Sequence, residues 1–424
     1  KWKSAITNNV NGDSMLLVLN EEELHMKDKY QKTMYACFVG YIVQAIVNNF
    51  VPLLFLTFES TYQIPLSQIT MLITFNFGIQ LLVDLLSAKF VDKIGYRVSI
   101  VLAHIFAAAG LVGLVILPDL LPNAFAGLLV AVIIYAIGGG LIEVLISPIM
   151  ESCPSENKEK AMSLLHSFYC WGHVGVVLLS TLFFKIFGIS NWRVLAIIWV
   201  IIPVVNGVVF CKTPIAPLIE EGETGMSMRE LCKSKIFWIL MLMMVCSGAS
   251  EQAVSQWAST FAEQGLGVSK TIGDLAGPMS FAILMGSARA FYGKFGDKLD
   301  LDKFMLGSSV LCIISYLCIS LLPSPLLSLI GCSICGLSVG IMWPGTFSKA
   351  SAALRNGGTA MFALLALAGD VGCSGGPTLV GFVTGIASDN LKKGIFAGIV
   401  FPILLVVGII LLKNTLQKKE DRVC

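Results

Sequence analysis

The chain has 424 residues, of which 56% are hydrophobic and 13% are charged. Soluble globular proteins carry about 25% charged residues, so this composition is typical of a protein that crosses a membrane many times. The formal net charge of +2 provides no strongly basic surface and excludes nucleic acid as a partner. The twelve cysteines stand mostly in apolar runs and predict neither a disulfide framework nor a metal site.

Apolar runs recur from residue 33 onward, and each has about the 20 residues that a helix needs to cross a bilayer. The preceding residues 1–32 are interpreted as an N-terminal cytoplasmic segment, in which residues 1–25 are either a non-native lead-in or an ordinary tail. The runs predict twelve spans, at 33–58, 67–90, 97–117, 122–150, 160–187, 191–211, 235–262, 269–295, 302–322, 325–352, 357–387 and 391–413.

A polar stretch divides these spans into two equal sets. Residues 212–234 carry several charges and are interpreted as a central cytoplasmic loop. The sequence therefore predicts an all-α membrane protein with one six-helix bundle at 33–211, a second at 235–413 and a cytoplasmic tail at 414–424.

Lys and Arg collect in the loops on one side of the predicted membrane, whereas the loops at 117–123 and 321–327 carry no base. Cytoplasmic loops are enriched in these residues. We therefore expect a multi-pass protein of the cell (inner) membrane with both termini in the cytoplasm. We expect it to lie in the lipid bilayer as a monomer.

Two turns repeat between the halves. The chain reads AKFVDKIGYR between spans two and three, and GKFGDKLDLDK at the corresponding place between spans eight and nine. Both copies place an Asp followed by a Lys at the cytoplasmic end of a span. Duplicated halves of this kind are typical of transporters, although two unrelated solvated loops are the alternative.

These turns resemble the cytoplasmic loop motif of the major facilitator superfamily. Asp92, Lys93, Gly95 and Arg97 match the motif, whereas Ala88 replaces its first Gly. The second copy keeps Gly293, Asp297 and Lys298 but has Asp300 at a later Gly position. The resemblance implies two pseudo-symmetric six-helix bundles of twelve transmembrane helices, joined and separated by these turns.

Arg289, near the cytoplasmic end of span eight, is interpreted as a gate or as a base whose side chain extends to the membrane surface. The predicted gating residues are Asp92, Lys93, Arg97, Arg289, Asp297 and Lys298.

A narrower likeness appears in spans four and ten. GGGLIEVLISP at 138–148 and GIMWPGTFSKA at 340–350 are similar to elements of the fucose/galactose/glucose:proton symporters. The likeness implies sugar transport coupled to protons. The acid that these symporters carry late in the first span is replaced here by Asn48 or Asn49, and the antiporter elements of the superfamily are absent.

Three acids stand near the middle of predicted spans, where a charge costs at least roughly 2.5 kcal/mol. A carboxyl group removed from water is more stable when neutral, so such a residue can carry a proton. Glu143, Glu251 and Asp370 are the predicted proton-coupling residues. The alternatives are a structural Glu143 bonded to a carbonyl, a solute-binding Glu251, and an Asp370 that serves helix packing. Asp84 lies close to the motif turn and is interpreted as structural.

Amide side chains recur four residues apart on single helix faces, as in the pairs Gln44 and Asn48, Asn76 and Gln80, and Gln252 and Gln256. Amides both donate and accept hydrogen bonds, which suits the hydroxyls of a sugar, and indole rings suit its apolar face. The alternative is that these amides hold helices together. The predicted substrate-binding residues are Gln44, Asn48, Asn49, Asn76, Gln80, His173, Gln252, Gln256, Trp257 and Trp343.

The sequence thus predicts a secondary active transporter that moves a neutral polyhydroxylated solute, a monosaccharide in the first instance, by alternating access with proton-coupled uptake. The alternative is an exporter or uniporter of an amphipathic small molecule, and sodium remains open as the coupling ion. An enzyme is not predicted, because HExxH and paired metal ligands are absent from the sequence. No cofactor is predicted.

Overall fold

The computed structural model describes residues 12–64, 66–155, 157–218, 225–258, 275–387 and 390–420. The regular elements in these ranges are all helical, as expected where no water is available to bond the backbone. In chain order the α-helices are α1 (Gly12–Asn49), α2 (Phe55–Tyr62), α3 (Leu66–Ile94), α4 (Tyr96–Leu120), α5 (Ala124–Ser152), α6 (Lys158–Phe187), α7 (Trp192–Lys212), α8 (Met228–Lys233), α9 (Lys235–Ser255), α10 (Ser280–Phe295), α11 (Leu301–Leu321), α12 (Pro325–Val339), α13 (Met342–Ala353), α14 (Gly358–Ile386), α15 (Leu391–Ala397) and α16 (Val400–Glu420).

Eleven helical stretches within the described residues are long and apolar enough to cross a membrane. They match the predicted spans except for span eight, whose first residues lie outside the described ranges. The rest of that span is a π-helical turn at Leu275–Met279 followed by α10. The predicted end of span seven, at 259–262, also lies outside the described residues.

The first predicted span differs from a single helix over 33–58. The helix α1 begins earlier, at Gly12, and ends at Asn49, after which a 3₁₀ turn at Val51–Leu54 leads into α2. Pro52 explains the interruption, because proline has no backbone N–H and disfavours the helical conformation of the residue before it.

Span ten is also divided, between α12 and α13, at Gly340. A Cβ atom at Gly340 would lie 2.8 Å from the Cβ atom of Ala288 and 2.9 Å from the carbonyl oxygen of Met285. Only glycine therefore allows α10 to approach so closely. The approach also positions Arg289 on α10, because the Gly340 carbonyl oxygen accepts a hydrogen bond from it.

Glycines also bring α9 and α14 into backbone contact. A Cβ atom at Gly372 would lie 2.0 Å from the carbonyl oxygen of Val245, and one at Gly376 would lie 2.5 Å from that of Ala249. Small residues at such interfaces are the usual means by which membrane helices pack closely. The pair fixes the position of Asp370, which lies on α14 just before Gly372.

The two predicted halves meet through α3 with α14, α5 with α14, and α6 with α10 and α13. The helices α7, α11 and α16 lie away from this contact, and α4 reaches it only at its first residue, Tyr96, whose hydroxyl is hydrogen-bonded to that of Thr359. On α7 the side chains of Ile201, Val205 and Val208 are more than half exposed, and we expect this apolar surface to face lipid.

Candidate functional site

A cavity of about 600 Å³ lies between the two halves. Its wall comes from α1, α3, α5 and α6 on one side, and from α9, α10, α13, α14 and the residue that follows α9 on the other. The outer helices α4, α7, α11 and α16 contribute nothing to the lining that the structure describes. The volume falls within the range of small-molecule sites, roughly 300–1,000 Å³.

Most of the residues predicted from the sequence to bind substrate or couple protons line this cavity, together with Arg289. They are Gln44, Asn48, Gln80, Glu143, Glu251, Gln252, Gln256, Arg289, Trp343 and Asp370. The three predicted proton-coupling acids are therefore brought to one space, although they come from α5, α9 and α14.

Glu143 has one strong partner on the cavity wall. The side-chain amide of Gln44 donates a hydrogen bond to Glu143 Oε2 at 2.6 Å, joining α1 to α5. Gln44 is 3% exposed. A carboxyl group that meets both an amide donor and the cavity can exchange a proton with a bound solute or with water.

Asn48 joins α1 to α3 by accepting two hydrogen bonds at its Oδ1. The amide of Gln80 donates at 2.8 Å and that of Asn76 at 3.1 Å. Because Asn76 and Gln80 are both at most 5% exposed, these bonds also hold the two helices together. Asn48, Asn76 and Gln80 therefore link two helices, and a role for them in binding a solute stays a prediction.

Four predicted binding residues lie away from the cavity lining. The amide of Asn49 donates to the Ala45 carbonyl of its own helix at 2.8 Å, and Asn76 lies one layer behind Asn48. The indole of Trp257 donates to the Pro377 carbonyl oxygen at 3.3 Å. His173 also lies outside the lining. A binding role for these four residues stays a prediction.

Arg289 lies at the cavity floor and is 4% exposed, so its side chain does not extend to the membrane surface. Its guanidinium pairs with Glu251 at 3.2 Å and donates to the Gly340 carbonyl oxygen at 2.8 Å. It also donates to the His166 carbonyl oxygen at 3.3 Å, in the other half. Arg289 therefore joins the halves and neutralises Glu251.

Several residues of the lining are not among those predicted from the sequence, and Tyr41 and His166 are two of them. The hydroxyl of Tyr41 lies 2.9 Å from Ser147 Oγ and 3.3 Å from Nε2 of His166, and both Tyr41 and His166 line the cavity. Helical spacing was the available signal, because Tyr41 shares a face of α1 with Gln44 and Asn48.

The motif turns hold the two halves together below the cavity. Asp92 accepts a hydrogen bond from the Thr359 hydroxyl at 2.5 Å, at the start of α14 in the other half. Asp297 accepts one from the amide of Asn157 at 3.0 Å and pairs with Lys160 at the start of α6. The bond with Lys160 lowers the pKa of Asp297 below its ordinary value. Each copy of the motif thus bonds to the beginning of a helix in the other half.

The remaining gating residues take other positions. Arg97 donates to the carbonyl oxygens of Phe210 and Cys211 at 2.9 and 2.8 Å, within its own half. Lys93 and Lys298 are exposed. Two more bonds close this end of the molecule, from the Ser351 hydroxyl to Glu151 at 2.7 Å and from the Tyr292 hydroxyl to Glu159 at 2.9 Å.

The opposite end of the cavity is lined by Thr74, Gly78, Gln256 and Thr378. Among the residues that the structure describes, the hydrogen bonds between the halves lie at the motif end, at the cavity floor or beside Asp370. The structure is therefore closed at the motif end.

The Major Facilitator Superfamily model matches residues 36–377. The chain belongs to the major facilitator superfamily. As a member of this superfamily it is a multi-pass membrane transporter rather than an enzyme, and the predicted fold class is confirmed.

Solved structures of the superfamily share the fold at low sequence identity. The E. coli fucose:proton symporter is 14% identical with a TM-score of 0.78, over 91% of this chain and 99% of that one. The proton:xylose symporter bound to 6-bromo-6-deoxy-D-glucose is 12% identical with a TM-score of 0.76, over 91% of this chain and 96% of that one. The human organic anion transporter MFSD10 is 14% identical with a TM-score of 0.67, over 90% of this chain and 99% of that one. A search of curated proteins gives no match.

Proposed function

We propose that this transporter takes up a neutral polyhydroxylated solute, in the first instance a monosaccharide, together with a proton. The observation that carries the proposal is the bond between Gln44 and Glu143 on the wall of a cavity lined by amides from both halves. One face of the solute then meets hydrogen-bonding groups while a carboxyl group beside it holds the proton.

The chemistry of the wall favours a neutral solute. Gln44, Gln252 and Gln256 offer both donors and acceptors, and the indole of Trp343 provides an apolar surface. The positive charge of Arg289 is balanced by Glu251. A solute with many hydroxyls and no charge fits this arrangement best.

The proposed cycle follows from which end of the cavity is closed. With the motif turns on the cytoplasmic side, as their bases indicate, the cavity faces outward. Solute and proton bind there, and Glu143 is neutralised. The halves then rock, the bonds of Asp92 and Asp297 break, and the lower cytoplasmic proton activity favours release. Both termini lie in the cytoplasm in this arrangement, and one molecule contains the whole path.

The structural neighbours support the proposal by their own substrates. The fucose:proton and proton:xylose symporters each couple a monosaccharide to a proton.

A carboxylated solute is the second candidate. Arg289 is the observation that favours it, because a solute carboxylate could replace Glu251 at the guanidinium. The human neighbour transports organic anions.

Uptake into proteoliposomes distinguishes these candidates. Labelled hexoses, deoxyhexoses and a hexuronate are supplied under an inward proton gradient to the natural protein, to Glu143→Gln and to the control Glu59→Gln. Glu59 lies on α2 and does not line the cavity. We expect a neutral sugar to accumulate with the natural and control proteins, whereas Glu143→Gln retains exchange without accumulation. Accumulation of the hexuronate alone would favour the second candidate and contradict the first.

A further inference from the structure

Two carboxyl groups from opposite halves face each other beside the cavity. The helices α3 and α14 pack together, and there the side chain of Asp84 on α3 is a neighbour of that of Asp370 on α14. Asp84 is fully buried, and Asp370 lines the cavity. The pair lies deeper than the motif turns, since Asp84 is almost three helical turns before the end of α3.

Three of the four oxygens of this pair are buried without a hydrogen-bond partner in the part of the chain that the structure describes. Among the described residues, no donor reaches either oxygen of Asp84 or the Oδ2 atom of Asp370. Two ionised carboxylates are acceptors only, and at this separation they repel each other. One hydrogen between them turns the repulsion into a hydrogen bond between an acid and a carboxylate.

The surrounding charges also favour a shared proton over two ionised carboxylates. Glu143 on α5 acts on both members of the pair, and Cys373 lies one turn further along α14. Glu251 on α9 is already paired with Arg289. The neighbouring charges that bear on Asp84 and Asp370 are therefore carboxyl groups, and the described residues hold no group of three ligands suited to a metal ion.

We propose that Asp84 and Asp370 bind one proton between them, at a site separate from Glu143, and that this proton joins α3 of one half to α14 of the other. The hydroxyl of one carboxyl group donates to an oxygen of its partner. When the halves separate at this level, the hydrogen bond breaks and the proton leaves to water in the cavity. The pair would then favour the conformation closed at the motif end while it is protonated, and would oppose it once the proton is lost.

Infrared spectroscopy of the protein in lipid vesicles tests this site without any solute, so its outcome is separate from that of the proposed sugar uptake. The carbonyl band of a neutral carboxyl group is followed as pH is raised. Carbon-13 in the aspartate carboxyl groups shifts Asp bands and leaves Glu bands in place. We expect a neutral Asp band near neutral pH in the natural protein, although exposed aspartates are ionised there.

Variants assign the band. Asp84→Asn and Asp370→Asn should each remove it, because either change removes the shared proton, whereas Glu143→Gln and the control Glu59→Gln should keep it. If one variant does not fold, the other variant and the labelled natural protein still decide the question. The absence of a neutral Asp band, a band that survives both Asn variants, or a band lost on adding sodium at constant pH would overturn the proposal.

A second readout tests the link between the halves. Spin labels on Lys89 and Lys303, which are exposed at the motif end of opposite halves, report their separation in a background without accessible native cysteines. We expect the separated population to grow over the pH range in which the Asp band is lost. In Asp84→Asn the amide can donate to Asp370 at any pH, so the closed population should stay constant. If the distance between the labels in the natural protein does not change over the pH range in which the Asp band is lost, the proton has no role in joining the halves.

Discussion

Gln44 and Asn49 carry the same amide group five residues apart on α1, but they have different partners. Gln44 donates to Glu143 across the cavity wall, whereas Asn49 donates to the carbonyl of Ala45 in its own helix. The contrast provides a matched pair for testing which amides belong to the transport site.

Gln44→Ala should lower gradient-driven uptake about tenfold or more, because a hydrogen bond to a group that becomes charged contributes roughly 1.5–3 kcal/mol. Asn49→Ala should stay within about twofold of the natural protein. Initial rates over a range of solute concentrations in proteoliposomes measure both. Equal losses in the two variants would show that the Gln44 bond has no special role.

Arg289 shows what a single residue's sequence context can and cannot reveal. An apolar run containing a base identifies a polar position within a span. The partners of that base lie on α9, α6 and at the break in span ten, far away in the sequence. Only the packing of the helices brings them together, so the sequence located the residue near a membrane end and missed its position at the cavity floor.

At the scale of elements, the contact between α9 and α14 depends on glycine. Gly372→Ala would place a Cβ atom 2.0 Å from the carbonyl oxygen of Val245, and backbone atoms have to move to accept it. We expect a loss of roughly 1–3 kcal/mol, as overpacking generally causes, seen as a lower thermal unfolding temperature in detergent.

Gly375→Ala is the control on the same helix, since a Cβ atom there meets nothing within 4 Å. Its unfolding temperature should match or slightly exceed that of the natural protein, because alanine favours helix. Equal destabilisation by both substitutions would indicate that loss of glycine itself, rather than the close approach to α9, lowers stability.

The existence and order of the helices were predictable because apolar length alone identifies a membrane span. The breaks within spans one and ten were harder to predict. Pro52 is a visible signal for the end of α1, whereas the break at Gly340 depends on the approach of α10, which no local pattern encodes. The pairing of Asp84 with Asp370 was unpredictable for the same reason, because the sequence around Asp84 indicates only that it lies close to the motif turn.

At the scale of the whole molecule, two contacts between the halves should respond differently to pH. One is the ion pair of Asp297 with Lys160, and the other is the proposed proton-sharing pair of Asp84 and Asp370. The pKa of Asp297 is lowered by its bond with Lys160. A lowered pKa means that the contact contributes fully above the ordinary value of Asp, about 3.9, and is lost as pH falls through the lower value of the folded state.

The Asp297 contact should therefore be constant through the neutral and mildly acidic range. Asp297→Asn should raise the separated population at the motif end at all of these pH values, as measured by the labels on Lys89 and Lys303. Lys294→Gln, an exposed change in the last turn of the preceding helix α10, is the control. A separated population in Asp297→Asn that varied with pH while the natural protein's did not would contradict this assignment.

Proton movement caused by the solute is the most direct test of coupled uptake. Proteoliposomes in lightly buffered medium receive a sugar that the uptake panel has identified, with no imposed gradient, and the external pH is recorded. We expect alkalinisation that follows sugar entry with the natural protein and with Glu59→Gln, and none with Glu143→Gln. Sugar entry without a change of pH in the natural protein, or with acidification, would contradict proton symport.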